Sequence, residues 1–213
     1  MSFSIIPRKV FKTHSEISGQ IVVEELLGQY SLQVQGLIQS GGLVKAIWKK
    51  PFKKILDSEF LILNSLLLGL GGGTVVQLIK ARWPKAKIVG VEIDPEIIKI
   101  GKKYFGLDDV PGLQTANANA FDYIKQAKQK FDLLIVDLYL GRKFPKKAEN
   151  KEFFEDIKKI LSSDGIVIFN RLKMEKSDLG NFEQKLKKHF SSVKLVKTST
   201  NLFFLVKIWV KLW

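Results

Sequence analysis

An apolar strand that runs into a glycine turn and then a helix narrows the fold of this chain more than any other feature. Leu66-Leu67-Leu68 leads into Gly69-Leu70-Gly71-Gly72-Gly73-Thr74, and Val75–Arg82 follows with a helical pattern. Glycine is needed where the chain turns tightly and where a backbone must approach a ligand without a Cβ in the way. The amides that open the helix can face a polar or anionic group. Lys87–Val91 forms the next strand, and Glu92 stands at its end. A carboxylate at that place can accept hydrogen bonds from both hydroxyls of a ribose. Gly69, Gly71, Gly73 and Glu92 are therefore candidate binding residues for a nucleoside. A bare βα turn with a solvated Glu92 is the plainer alternative.

The rhythm from residue 64 onward is strand, helix, strand, helix. Asp94 caps a helix whose first position is Pro95 and which runs to Phe105. Leu113–Ala116 reads as a short strand, Ala120–Ala127 as a helix and Glu152–Leu161 as another. Leu133–Val136 has no polar residue, as expected of a parallel strand covered on both faces. Gly165–Asn170 reads as a strand and Leu179–Phe190 as a helix. Two strands, Val193–Lys197 and Leu202–Trp209, joined by Thr198–Asn201, close the chain as a hairpin. The expected fold is α/β: a Rossmann-like class I methyltransferase fold with a mostly parallel sheet and a C-terminal antiparallel hairpin. Thr74, where a dinucleotide fingerprint wants Gly or Ala, and that hairpin favour S-adenosylmethionine or a relative over NAD.

The first fifty residues differ. Ile21–Glu25 and Tyr30–Val34 are β-type runs around Leu26–Gln29, a hairpin pattern. A helix follows over Leu43–Leu56, and Pro51 is expected to break or kink it. The chain thus divides into a small N-terminal β-hairpin region, residues 1–50, and an α/β nucleoside-binding domain, residues 51–213.

Composition removes several function classes. There is no cysteine, so thiolate catalysis, disulfides and Cys-based zinc sites are excluded. His14 and His189 are far apart without metal partners nearby, and no metal is expected. Met1–Lys12 lacks a long apolar run, and Phe60–Leu70 is too short for a bilayer and is interrupted by Asn64 and Ser65. A cytoplasmic protein without a membrane partner is expected. The net charge of +14 leaves nucleic acid open as a partner beside a plain lysine-rich surface. Such a charge works against a cationic substrate unless the pocket itself is acidic.

Taken together, Leu66–Thr74, Val91–Pro95, Asp132–Asp137, Pro145, Glu152–Phe154 and Gly165–Asn170 resemble the spermidine synthase (polyamine aminopropyltransferase) family. Gly36–Gln39 is similar to the end of that family's N-terminal β domain. The resemblance implies S-adenosylmethionine or its decarboxylated form as donor, a small-molecule acceptor such as a polyamine, and the strand order of the family. It implies that Glu92 holds the ribose, Asn119 meets the adenine, Gln39 lines the substrate site and Asp137 deprotonates or positions the attacking amine. Tyr139 follows as a residue that stacks on substrate or covers the loop. A homodimer, known in the family, is left open by the short N-terminal region. Four positions depart from the family pattern. Gly72 and Leu140 stand where acids are usual, and Trp48-Lys49 where a tyrosine and a polar residue are usual. Two further readings stay beside aminopropyl transfer: a methyltransferase on an anionic or nucleic-acid substrate, and a non-catalytic nucleoside-binding protein.

Overall fold

The computed structural model describes residues 5–56, 61–173 and 179–208. The chain opens with four antiparallel strands, β1 (Arg8–Ser15), β2 (Gly19–Leu26), β3 (Gln29–Val34) and β4 (Leu37–Ser40), paired in sequence order. The expected hairpin is β2–β3, with one further strand on each side. β1 escaped a period-two reading because its register shifts between Lys9 and Phe11, which breaks the alternation. Ile21, Val23, Leu32 and Val34 form the inner face of this sheet and pack on Ile97 and Ile100.

Of the expected break or kink at Pro51, the break does not occur: helix α1 (Gly42–Leu56) continues through the proline. Its buried residues Trp48, Phe52 and Ile55 explain why. Trp48 packs 4.7 Å from the Phe203 ring, and Phe52 sits 6.4 Å from Trp83. Tertiary burial of three large side chains offsets the one hydrogen bond that proline removes.

The larger sheet holds β5 (Asn64–Leu68), β6 (Lys87–Glu92), β7 (Leu113–Asn117), β8 (Phe131–Val136), β9 (Leu161–Leu172), β10 (Ser192–Lys197) and β11 (Asn201–Lys207). Their spatial order is β10-β11-β9-β8-β5-β6-β7. The five strands β5 to β9 are parallel, β11 runs antiparallel to β9, and β10 pairs antiparallel with β11. Helices α2 (Thr74–Arg82), α3 (Pro95–Phe105), α4 (Ala120–Gln126), α5 (Lys151–Ile160) and α6 (Leu179–His189) complete the α/β layers. Strand β9 is longer than its apolar run suggested, because Leu161 already pairs with Phe131 ahead of an irregularity. The expected strand to Trp209 is described only to Lys207, and Trp209 and Trp213 lie outside the described residues.

Local sequence accounts for several element ends. Asp94 Oδ1 accepts from Glu96 N at 2.9 Å and Pro95 opens α3. Asn150 caps α5 by accepting from Phe153 N. Asp132 is the second residue of β8, at the edge away from the glycine turn. There its Oδ2 accepts from Leu63 N and Asn64 N, each at 2.9 Å, and fastens β5 to β8. Among the described residues no helix is long and apolar enough to cross a membrane.

Candidate active site

The parallel strands end together at one edge of the sheet, β5 in the glycine turn and each of the others with a polar residue at or near its end. The glycine turn follows β5, Glu92 ends β6, and Asn119 follows β7. Asp137 follows β8, and Asn170 lies near the end of β9. Asn201, at the start of antiparallel β11, reaches the same edge. They line one cavity of about 470 Å³, roofed by β4, α1 and the loop after β8. Gly69, Gly71, Gln39 and Tyr139 also line it, so nearly every residue singled out from the sequence is brought to one place. Gly73 is the exception: it does not line the cavity but sits at the N-cap of α2 with φ 86°.

The glycine turn is shaped by its neighbours. Gly69 has φ 91°, and a Cβ there would overlap the Asp137 carbonyl oxygen. The exits of β5 and β8 therefore touch, and only glycine permits it. Gly71 N donates to Glu92 Oε2 at 3.1 Å, and Asp94 N donates to Glu92 Oε1 at 3.2 Å. Glu92 thus holds the turn in shape and keeps further lone pairs for a ligand. It is 8% exposed, and burial pushes its carboxyl above the usual range, against the backbone hydrogen bonds that pull it down.

Gly72 shows why an acid is absent from the turn. Its N–H donates to Ser40 Oγ at 2.8 Å. A Cβ at Gly72 would stand 2.9 Å from Ser40 Cβ and 3.2 Å from the Phe105 ring. Gly41 N in turn donates to Thr74 Oγ1 at 2.9 Å. The end of β4 is thereby fastened across the glycine turn, and the space an aspartate needs is taken.

Asp137 is half-buried and faces the cavity. Asn170 Nδ2 donates to Asp137 Oδ1 at 2.7 Å, and Asn201 Nδ2 donates to Asn170 Oδ1 at 2.8 Å. Burial pushes the Asp137 carboxyl up to about 6; the Asn170 hydrogen bond lowers it and the nearby Glu92 charge raises it. That value suits a base working near neutrality. Asn170 and Asn201 are 5% and 6% exposed, and neither was singled out from the sequence. The available signal was a polar residue closing an apolar strand, which marks Glu92 and Asp137 equally.

Other expected residues have local duties. Asn119 Oδ1 accepts from Phe121 N at 2.9 Å as the cap of α4. One oxygen lone pair and the amide remain for the cavity. Tyr139 Oη accepts from Leu172 N at 2.7 Å and lies 3.3 Å from Asn170 O, so the hydroxyl pins the end of β9 and the ring faces the site. Leu140 is 56% exposed at the cavity mouth, and Trp48 is buried in its wall. Among the described residues no lysine or arginine lines the cavity. Arg142, Lys143, Lys146 and Lys147 stay exposed outside it. The two acids, Glu92 and Asp137, thus sit inside a chain of net charge +14.

A mostly parallel α/β sheet with an antiparallel end, a glycine turn after its first strand and an acid after its second defines the methyltransferase-like class of nucleoside-binding folds. Residues 59–209 match the spermine/spermidine synthase domain, and the chain belongs to that family. The polyamine aminopropyltransferase of Vibrio vulnificus (strain CMCP6) is 32% identical over 114 residues, 52% of this chain and 38% of that protein. The eEF1A lysine and N-terminal methyltransferase of Mus musculus is 30% identical over 118 residues, 51% of this chain and 17% of that protein. The chain therefore matches well under two thirds of the length of these relatives. A crystal structure of a spermidine synthase in complex with the transition-state analogue AdoDATO superposes with a TM-score of 0.71 at 16% identity, covering 96% of this chain and 73% of that one. At that identity the likeness is one of fold.

Proposed function

We propose that this chain is a spermidine synthase-like transferase that binds S-adenosylmethionine or its decarboxylated form and moves an aminopropyl or related group to an amine. The observation that carries this reading is a cavity that, among the described residues, is lined by two carboxylates and by no lysine or arginine, on a strongly basic chain. Overall charge would draw anions, whereas the local field inside favours cations. A sulfonium nucleoside and an amine acceptor are both cationic.

In this reading the glycine turn gives the nucleoside room against the backbone, Glu92 accepts from the ribose hydroxyls and Asn119 meets the adenine. Gln39 lies beside the acceptor path. The bound sulfonium supplies an electrophilic carbon. Asp137 takes the proton of the attacking amine, and the Asn170–Asn201 pair holds its carboxylate in place. Much of the acceleration comes from holding amine and donor in line. Methyl transfer is the second reading. Gly72 and Leu140 leave the cavity without the additional acids usual for diamines, and one relative is a methyltransferase.

Calorimetric titration with S-adenosylmethionine, decarboxylated S-adenosylmethionine and methylthioadenosine tests both readings. Preference for the decarboxylated form, abolished in Glu92→Ala, supports aminopropyl transfer. Preference for the intact methionine moiety moves the assignment to methyl transfer, and binding of none overturns the proposal.

A further inference from the structure

The strand order sorts the cavity into two ends. The glycine turn, Glu92 and Asn119 sit over β5, β6 and β7, and Asn170, Leu172 and Asn201 sit over β9 and β11. Asp137, after β8, stands at the boundary. If the nucleoside occupies the first end, as proposed above, the acceptor occupies the second. The walls there are unlike those a polycation needs. Ile47 and Trp48 of α1, Leu172 beyond Asn170, and Leu140 at the mouth present carbon to the space beside Asp137. Leu43 and Leu140 are 64% and 56% exposed, so the mouth has an apolar lip. No second carboxylate faces this end among the described residues. Trp48, whose ring is of the kind that holds cations, is 1% exposed and packed against Phe52 and Phe203.

We infer that the acceptor is a monoamine whose carbons beyond the nitrogen are apolar, and that Leu140 selects it over a diamine. This rests on the donor assignment made above. The amine gives its proton to Asp137, its lone pair forms the new C–N bond, the C–S bond breaks, and the sulfur leaves with the bonding pair as a neutral thioether nucleoside. A second ammonium on the acceptor would lie beside Leu140, Leu172 and Ile47, where among the described residues only neutral groups such as Gln39 and Thr200 could meet it, and a charge without a carboxylate in such surroundings is disfavoured. A methylene chain there is removed from water instead.

The test uses the purified full chain with whichever donor binds in the titration. Release of the thioether nucleoside is followed with n-butylamine against 1,4-diaminobutane, and with n-hexylamine against 1,6-diaminohexane. The expected result is a kcat/KM for each monoamine at least about tenfold above its diamine, the scale on which one apolar contact discriminates. Leu140→Asp reverses the preference and Leu140→Asn does not, while donor binding by calorimetry stays unchanged in both. Equal or better use of the diamine by the unaltered chain overturns the inference. Intact donor binding with no transfer to any of the four amines overturns the acceptor class alone, whereas absence of donor binding overturns the function beneath it.

Discussion

Asp137 concentrates the residue-scale chemistry. Its carboxyl, at about 6 in the folded chain against an ordinary 3.8, binds a proton more tightly in the native state than in the unfolded one. Its contribution to stability is therefore full below pH 3.8 and is lost as pH rises through about 6. Asp137→Asn keeps the shape and the acceptor for Asn170, and removes the half-buried charge. At pH 7.5 this variant is expected to be more stable by about 1–3 kcal/mol in urea denaturation, with the gain gone below pH 4. Its transfer rate should fall about 10²–10⁴-fold, as loss of a general base predicts. A stabilised protein with little activity separates a chemical role from a structural one. In the unaltered chain the acid limb of the rate profile should have a midpoint near 6, read from thioether release against pH. Loss of activity in Asp137→Asn accompanied by lower stability would contradict this account.

At the scale of elements, the junction between β4 and the glycine turn decides what the turn can carry. Ser40 and Gly72 share one small volume, joined by a 2.8 Å hydrogen bond. Introducing the family's usual acid by Gly72→Asp forces its Cβ against Ser40 and Phe105. It is expected to destabilise the chain by about 1–3 kcal/mol through overpacking. Ser40→Gly opens the space but leaves the buried Gly72 N–H without its acceptor, a cost of about 1–3 kcal/mol. The two substitutions together should cost less than the sum of their separate effects. A double-mutant cycle measured by thermal or urea denaturation checks this coupling, and strict additivity would refute it. Helix α1 teaches the same lesson from another side. Pro51 argues locally for a break, and Trp48, Phe52 and Ile55 hold the helix together against the sheet.

The whole molecule depends on a buried charge that belongs to no single element. Arg171 of β9, 2% exposed, donates from Nη1 to Glu149 Oε1 at 2.9 Å, and its guanidinium lies 4.3 and 4.7 Å from the Phe144 and Phe182 rings. Lys185 of α6 reaches Glu149 Oε2 at 3.1 Å. This cluster joins β9, α6 and the segment between Asp137 and α5, directly behind the Asn170 that steadies Asp137. Arg171→Met removes the buried partner of the Glu149 carboxylate and leaves it, among the described residues, with Lys185. It is expected to lower stability by about 3–5 kcal/mol in urea denaturation. Replacing Glu149 with Gln in the same chain should recover part of that loss, and no recovery would show that packing around the guanidinium matters more than the charge.

The division between sequence and tertiary structure follows the range of the interactions. The β5–glycine turn–α2 unit, the Asp94–Pro95 helix start, the apolar β8 and the terminal hairpin were legible from the sequence, because turns, caps and apolar runs act over a few neighbouring residues. Glu92 and Asp137 were legible too, since a strand end is a local feature. The sequence also carried the absence of acids at 72 and 140. Tertiary structure alone decided that Ser40 fills the place of one missing acid and that α1 survives its proline. It alone brought Asn170 and Asn201 together from strands 31 residues apart. The acidic character of a cavity inside a chain of charge +14 also came only from folding. The formal charge sums every lysine, whereas the field at the site depends on which side chains the sheet edge gathers and which it leaves in water.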